Sequence, residues 1–168
     1  MITKFKIFEN FENETFSKGD YVKIKGENEN YLPHNHYFYQ IEYILDDLEY
    51  QLKQEFKTEK DWENWCCDVD NVDDYGDCDL SNISSYDVPE LLGLPVNNND
   101  IQNIMTNLLT GIDFDKEYVK DENSSIYLKD VFDNDLGILE YDKKDILHLT
   151  EPEQIELKMK LDAKKYNL

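Results

Sequence analysis

The chain has 168 residues, of which 40% are hydrophobic and 13% aromatic, and its net charge at pH 7 is −21. This apolar content excludes a fully disordered acidic chain and is enough for one ordinary domain with a core. The negative charge repels nucleic-acid phosphate and anionic membranes, so we expect basic protein surfaces or metal cations as partners. All 17 basic residues are lysine, so the chain has no guanidinium group for bidentate recognition of phosphate.

The N-terminal part predicts two short strands. Residues 3–8, TKFKIF, alternate lysine with phenylalanine and isoleucine, as a half-buried strand does. Gly19-Asp20 predicts a turn, and residues 21–25, YVKIK, repeat the alternation after it. We therefore expect a second strand there.

The middle of the chain predicts helices. A first helix is expected over 37–56, where apolar residues recur at steps of three and four, while Glu42, Asp46, Asp47 and Glu49 fall on the opposite, exposed side. The apolar residues are Ile41, Ile44, Leu45, Leu48, Leu52 and Phe56. A second helix is expected from Thr58 to Cys67, with Thr58 and Asp61 forming a capping box.

Three more helical segments follow. YDVPELLGLP predicts a single turn, with Asp87 as its cap and Pro89 in its first turn. NNDIQNIMTNLLTG has a clear apolar stripe and ends at Gly111, a residue typical of helix ends. A last helix is expected from Thr150, with Glu153 completing a capping box.

Three strands are expected between the last two helices, in SSIYLKDVF, LGILEYD and DILHL. Together with the N-terminal pair they predict one α+β domain: a small antiparallel barrel with an acidic helical insertion. The barrel strands are assigned to 1–30 and 112–149, the insertion to 37–110 and the C-terminal helix to 150–165.

FSKGDYVKIKG, followed much later by LGILEYDKKDILHL, resembles an SH3-like barrel. In such barrels a GDYV-type strand opens the fold and a Y-x-x-x-D-I-x-x-L ending closes it. The resemblance covers about 60 residues and implies a module that binds peptides or serves in phage and bacterial assemblies.

The negative charge is concentrated in the middle third of the chain. Residues 61–115 contain 13 acidic residues and no lysine, whereas 1–60 contain 12 acids and 8 lysines and 116–168 contain 13 acids and 9 lysines. Uniform acidity for solubility does not predict this distribution. The densest part is DVDNVDDYGDCDL, residues 68–80, with six aspartates.

These aspartates do not match a calcium loop. Reading from Asn71 places Gly76 at the sixth position of an EF-hand, but Tyr75 takes the fifth position and Asn82 the twelfth, where a bidentate Glu is needed. A weak, non-specific divalent-cation site among the aspartates remains an alternative.

The sequence gives even weaker support for a zinc site or a catalytic site. Cys66, Cys67 and Cys78 lack the paired spacing of a structural zinc site, and His34 and His36 point in opposite directions on a strand. We expect Cys66 and Cys67 to pack as small hydrophobic residues beside the tryptophans. No nucleophile elbow or phosphate-binding glycine loop is present in the sequence. We expect no enzyme activity and no cofactor.

An acidic protein surface can imitate the electrostatic field of nucleic acid and occupy a basic groove in its place. Aromatic residues among the acids would add contacts that charges alone do not provide. The residues expected to bind such a partner are Asp46, Asp47, Glu49, Asp61, Trp62, Glu63, Trp65, Asp68, Asp70, Asp73, Asp74, Tyr75, Asp77 and Asp79.

In size, charge and lack of a catalytic motif, the chain resembles the small acidic inhibitors that phages and mobile elements direct against host nucleases, of the anti-CRISPR and anti-restriction types. The resemblance implies a nuclease or Cas effector as partner. Three cysteines, two of them adjacent, do not predict a disulfide framework, so we expect a reducing cytoplasm. A protein-binding SH3-like barrel is the alternative function, and a simply solvated acidic face would have no partner.

Overall fold

The computed structural model describes residues 15–26, 38–68, 83–96, 98–121 and 123–166. They form an α+β protein, as predicted, with a five-stranded antiparallel sheet and five α-helices. In chain order the elements are β1 (Tyr21–Ile24), β2 (Tyr39–Ile44), α1 (Leu45–Glu55), α2 (Glu59–Asp68), α3 (Val88–Leu91), α4 (Asn99–Gly111), β3 (Ser125–Asp130), β4 (Ile138–Asp142), β5 (Ile146–His148) and α5 (Glu151–Tyr166). A short π-helical turn, Ile83–Asp87, precedes α3.

The sheet has the strand order β4-β3-β2-β1-β5. Strand β1 joins the two ends of the chain, because Val22 lies opposite His148 of β5 on one side and Tyr39 of β2 on the other. Strands β4 and β5 are the two edges, and within the described ranges no pairing joins them. The sheet is therefore open, and the predicted barrel is not confirmed. The strand predicted at 3–8 lies outside the described residues.

The central strand β2 is where the sequence prediction was wrong. Residues Tyr39–Ile44 were assigned to the start of a helix over 37–56, but they form a strand, and α1 begins only at Leu45. Tyr39, Ile41 and Tyr43 alternate with two polar residues, which is a strand pattern. The same residues also fit the steps of three and four that are typical of a helix. Pairing of β2 with β1 on one side and with β3 on the other favours the strand. The segment 37–110, assigned to the insertion, thus includes the middle strand of the sheet.

A β-bulge in β2 sets which side chains face the helices. The register with β3 shifts between Ile41 and Tyr43, so Ile41 lies opposite Leu128 and Tyr43 opposite Tyr127. The extra residue is Glu42, and it lets Ile41 and Ile44 share one face of the sheet while Tyr43 points to the other.

The helices α1, α2, α3 and α4 pack on the Tyr43 face of the sheet and form the larger core. Its buried residues are Tyr43, Leu48, Leu52, Phe56, Trp62, Cys66, Ile83, Val88, Ile101, Ile104, Met105, Leu108, Phe114 and Tyr127. The apolar stripes predicted for 45–56 and 98–111 both contribute to it. The described core residues of the lysine-free part of the chain therefore lie on one side of the sheet.

The opposite face of the sheet has its own core, and α5 packs against a third, small cluster. The opposite-face residues are Val22, Ile24, Tyr39, Ile41, Ile44, Ile126, Leu128 and Ile146. The small cluster consists of Phe38, Leu149 and Leu157, with Leu161 beside it. Helix α5 thus packs against residues that precede β2 and follow β3 and β5.

Most predicted helix ends are confirmed. The Thr58 amide donates to the Asp61 carboxylate at 3.0 Å and the Asp61 amide donates to Thr58 Oγ1 at 3.2 Å, which is the predicted capping box. Before α5, the Thr150 amide donates to Glu153 Oε2 at 2.7 Å. Asp87 was predicted to cap α3, but it has helical dihedral angles at the end of the π-helical turn and its side chain does not cap the helix.

We expect Leu52→Ala to lower the free energy of unfolding by about 2–5 kcal/mol, because Leu52 is fully buried in the larger core and the substitution leaves a cavity. Urea denaturation followed by circular dichroism measures the loss. Gln51→Ala is the matched control, since Gln51 is exposed on the same helix, and it should change stability by less than about 0.5 kcal/mol. Equal losses for both variants would contradict the assignment of α1 to the core.

Candidate partner-binding surface

The central aspartates of the predicted surface lie outside the described residues. They are Asp70, Asp73, Asp74, Asp77 and Asp79, and Tyr75 lies outside with them. The chain on either side is described: α2 ends at Asp68, and the π-helical turn begins at Ile83. Cys66 and Ile83, with relative exposures of 1% and 0%, lie in the same core cluster. Both ends of residues 69–82 are therefore attached to one helical layer.

The two tryptophans of α2 contribute to the core more than to the surface. Trp62 stacks on Phe114 with ring centroids 5.2 Å apart, and it meets Phe56 edge-on at the same distance. Trp62 is only 7% exposed, so its prediction as an accessible partner contact is wrong. Trp65 is half-buried and stacks on Trp62 at 5.4 Å, which leaves part of one ring at the surface.

The exposed side of α2 has the expected acidic character. Asp61 and Glu63 are both exposed, although Asp61 also caps the helix through Thr58. Asp68 is the last residue of α2, and its side chain is outside the described part. Helix α2 thus presents carboxylates on the side away from its buried residues Trp62 and Cys66.

Asp46 is not on the exposed face, contrary to the prediction. It is 3% exposed and its Oδ1 accepts a hydrogen bond from the Asp121 amide at 3.0 Å. Its own amide donates to Ser124 Oγ at 2.9 Å. One of the free amides at the start of α1 is thereby satisfied by a residue 78 positions away. Asp46 ties the segment before β3 to α1.

Tyr118 belongs to the same structural contact. Burial raises the pKa of its hydroxyl, and a hydrogen bond to Asp46 adds to the rise. The carboxylates of Asp46, Asp47 and Glu49 raise it further, since a tyrosinate would face three negative charges. The Tyr118 hydroxyl therefore remains protonated and donates to Asp46.

Asp47 and Glu49 remain at the surface. Burial raises the pKa of Asp47, and the neighbouring Asp46 carboxylate adds to the rise. Lys120 and Lys143 oppose it, which shows that lysines distant in sequence lie near this carboxylate. Glu49 is partly exposed and lies 3.6 Å from the Lys53 ammonium.

The tertiary structure brings lysines to one end of the lysine-free segment. Lys53 donates to the backbone oxygens of Asp113 at 2.7 Å and Lys116 at 2.8 Å. The Lys116 ammonium lies 2.7 Å from the Asp113 carboxylate. Counting along the sequence missed these pairs. Asp113, near the end of the lysine-free segment, is therefore compensated by a lysine just beyond it.

A polar cleft that sequence reasoning missed lies between α4 and the β3–β4 edge. It has a volume of about 130 Å³, and its polar lining includes Asp100 and Asn107 of α4 with Tyr127 and Glu140 of the sheet. The only sequence signal was the spacing of polar residues beside the apolar stripe of α4. The two strands could not be placed there without the fold.

A larger groove of about 360 Å³ lies between β1, β5 and α5. It is lined by Asp20, Tyr21, His148, Leu157 and other residues of α5. The His148 ring stacks on Phe16 with centroids 4.5 Å apart. His148 is the last residue of edge strand β5.

In the described part of the chain, no group of three His, Cys, Asp or Glu side chains could hold a metal ion. Cys66 is buried in the core, as expected for a small hydrophobic residue. In the same ranges no helix has the length and hydropathy needed to cross a membrane.

Comparison with known proteins gives no relative. No protein-family model, no curated protein and no solved structure matches the chain.

We expect Asp46→Ala to lower the free energy of unfolding by about 1–3 kcal/mol, because the Asp121 amide and the Tyr118 hydroxyl both lose their acceptor. Asp47→Ala is the matched control, because it removes the same charge from the next residue, which is exposed. It should lower the free energy of unfolding by less than about 0.5 kcal/mol. Urea denaturation at pH 7 compares the two. Similar losses of stability in the two variants would show that Asp46 contributes only as a negative charge near the start of α1.

Proposed function

We propose that the protein is a non-enzymatic inhibitor that binds the basic nucleic-acid-binding surface of another protein through the acidic side of its helical layer. The partner class is a host defence nuclease or Cas effector, as for anti-restriction and anti-CRISPR proteins, in a bacterial cytoplasm. The observation that supports this most is the absence of lysine from residues 61–115, which contain 13 acids.

The fold supports the proposal in one respect. The described apolar residues of the lysine-free segment pack in the larger core, so the exposed carboxylates of Asp61 and Glu63 are held on a folded layer. Preorganised charges bind an oppositely charged groove with less loss of conformational entropy than charges on an unfolded chain. The acids we assign to binding are Asp47, Glu49, Asp61, Glu63, Asp68 and the aspartates of residues 69–82, with Trp65 at their edge.

The groove beside α5 favours a second candidate function. A peptide-binding module, as implied by the resemblance to SH3-like barrels, would bind its ligand between β1, β5 and α5. That interface would be partly apolar and would depend little on salt. The acidic helical layer would then be an appendage for solubility or docking.

Salt and charge reduction separate the two functions. We expect the wild-type chain to capture a nucleic-acid-binding protein from bacterial lysate at about 50 mM salt and to release it at about 500 mM salt, since such contacts are screened. Changing Asp68, Asp70, Asp73, Asp74, Asp77 and Asp79 to Asn should reduce capture at least about tenfold. Double-stranded DNA should displace the captured protein, because both occupy the same groove.

The matched control removes the same number of charges elsewhere. It changes the exposed acids Glu55, Glu117, Asp135, Glu151, Glu156 and Asp162 to their amides. This variant should capture the partner nearly as well as the wild type. Capture that survives high salt, or that both variants lose equally, would overturn the mimicry proposal. Capture resistant to salt, together with loss on filling the groove by Lys158→Trp at an exposed lining position, would favour the peptide-binding function.

A further inference from the structure

Helix α5 has apolar side chains on two opposite sides. One side is buried in the small cluster through Leu157, which is 3% exposed. On the other side Ile155, Met159 and Tyr166 are 56%, 68% and 64% exposed. At about 100° of rotation per residue, these three lie within about 40° of one another and about 160–180° away from Leu157. They form a row about 16 Å long, which we call the α5 ridge.

An exposed apolar row is unusual among the helices of this protein. A surface helix typically has one apolar side, which faces the core. Among the described side chains, α1 has one exposed large apolar residue, Tyr50, whereas α2 and α4 have none. The α5 ridge has three in one line, and contiguous exposed apolar groups are typical of a surface that contacts another molecule.

The charge of α5 favours a second copy of this chain as that molecule. The helix contains four acids and four lysines, so its net charge is zero. The other four α-helices are net negative, and α1 and α2 contain four acids and one lysine each. Among the helices, α5 is therefore the one at which two chains of net charge −21 repel each other least. At about 0.15 M salt the Debye length is about 8 Å, so acids farther from the contact are largely screened.

The charges of α5 are also divided along its length. Residues 151–157 contain three glutamates and no lysine, and residues 158–166 contain four lysines and one aspartate. A parallel helix pair would place like charges side by side, whereas an antiparallel pair places the acidic half of each helix beside the basic half of the other. Glu151 and Lys165 are exposed near opposite ends of α5 and lie on the same flank of the ridge. The helix is therefore complementary to itself about a two-fold axis, as a symmetric dimer requires.

We infer that the α5 ridge is the contact surface between two copies of this chain, which pair their α5 helices in antiparallel orientation. The apolar ridge supplies the affinity, and the divided charge selects the orientation. Asp162 is exposed in the same row, and a polar residue within an apolar seam lowers the affinity. One helix pair also buries less than the roughly 1,600 Å² of a standard interface, so we expect a dissociation constant of about 100 µM. None of the acids assigned to partner binding lies on α5, so this contact does not depend on the proposed function.

Sedimentation equilibrium of the full-length chain tests the contact, over about 10 µM to 1 mM protein at about 0.15 M salt. We expect the wild type to change from monomer to dimer across this range. Met159→Lys should weaken dimerisation at least about tenfold, because it places two charges in one symmetric interface. Val119→Lys is the matched control, since Val119 is a 79% exposed apolar residue outside α5, and it should dimerise like the wild type. A wild type that stays monomeric at about 1 mM, or equal weakening by both variants, would overturn the inference.

A charge swap tests the antiparallel orientation. Glu151→Lys and Lys165→Glu should each weaken dimerisation about three- to tenfold, because each places like charges beside one another twice in the dimer. The double variant exchanges the two charges and should dimerise within about twofold of the wild type. Circular dichroism should give the wild-type spectrum for every variant, since the substituted positions are exposed. A double variant that dimerises no more strongly than the single variants would contradict the antiparallel pairing.

Salt separates the helix contact from the proposed function. Raising the salt from about 50 to 500 mM should strengthen dimerisation about threefold or more, because it screens the repulsion between two chains of charge −21 and leaves the apolar contact in place. Capture of a nucleic-acid-binding protein should weaken over the same range. If the variant with six aspartates changed to asparagine captures as much partner as the wild type while the dimer forms, mimicry fails and the helix contact stands. If capture depends on salt as expected but the chain stays monomeric, the helix contact fails and mimicry stands.

Discussion

The pairing of Tyr43 with Tyr127 across β2 and β3 is the constraint on which the helical layer depends. Because the bulge at Glu42 turns Tyr43 toward the helices, the strand can keep Ile41 and Ile44 on the opposite face and still lead directly into α1. Without the bulge, a regular alternation would place Tyr43 and Ile41 on one face. The position of α1, and with it the core beneath α2 and α4, follows from this register.

The same face combines packing with polarity. Tyr127 is 4% exposed and fills the space between β3 and α4, while its hydroxyl reaches the side chains of Asn107 and Glu140. Burial raises the pKa of this hydroxyl, because ionisation would leave a negative charge away from water and beside the Glu140 carboxylate. A core side chain thus ends in a polar group at the edge of the helical layer.

The acidic residues of the chain divide into structural and surface groups. Asp61 caps α2, and Asp46 accepts hydrogen bonds that attach the segment before β3 to α1. Asp113 is compensated by Lys116. A high negative charge opposes compaction through self-repulsion, so acids without such contacts lower stability and need another explanation. For the exposed acids of α2 and for the aspartates in residues 69–82, partner binding is the explanation that we propose.

The sequence by itself determined the α+β class, the starts of α2 and α5, the apolar stripe of α4 and the uneven distribution of charge. These features depend on neighbours within a few residues: Thr58 and Asp61 form a capping box from local spacing alone, and charge is a property that can be counted. For the same reason the buried stripe of α4 was predicted correctly.

Residues 39–44 fit both a strand pattern and a helix pattern, and only the tertiary structure decided between them. The strand forms because β2 pairs with a strand on each side. It also decided that Asp46 and Trp62 are buried, because their partners, among them Asp121 and Phe114, are more than fifty residues away. The open sheet and the polar cleft beside Tyr127 were likewise decided by the tertiary structure. Each results from contacts between segments that are distant in sequence. The free energy of such contacts cannot be inferred from the local pattern of either segment.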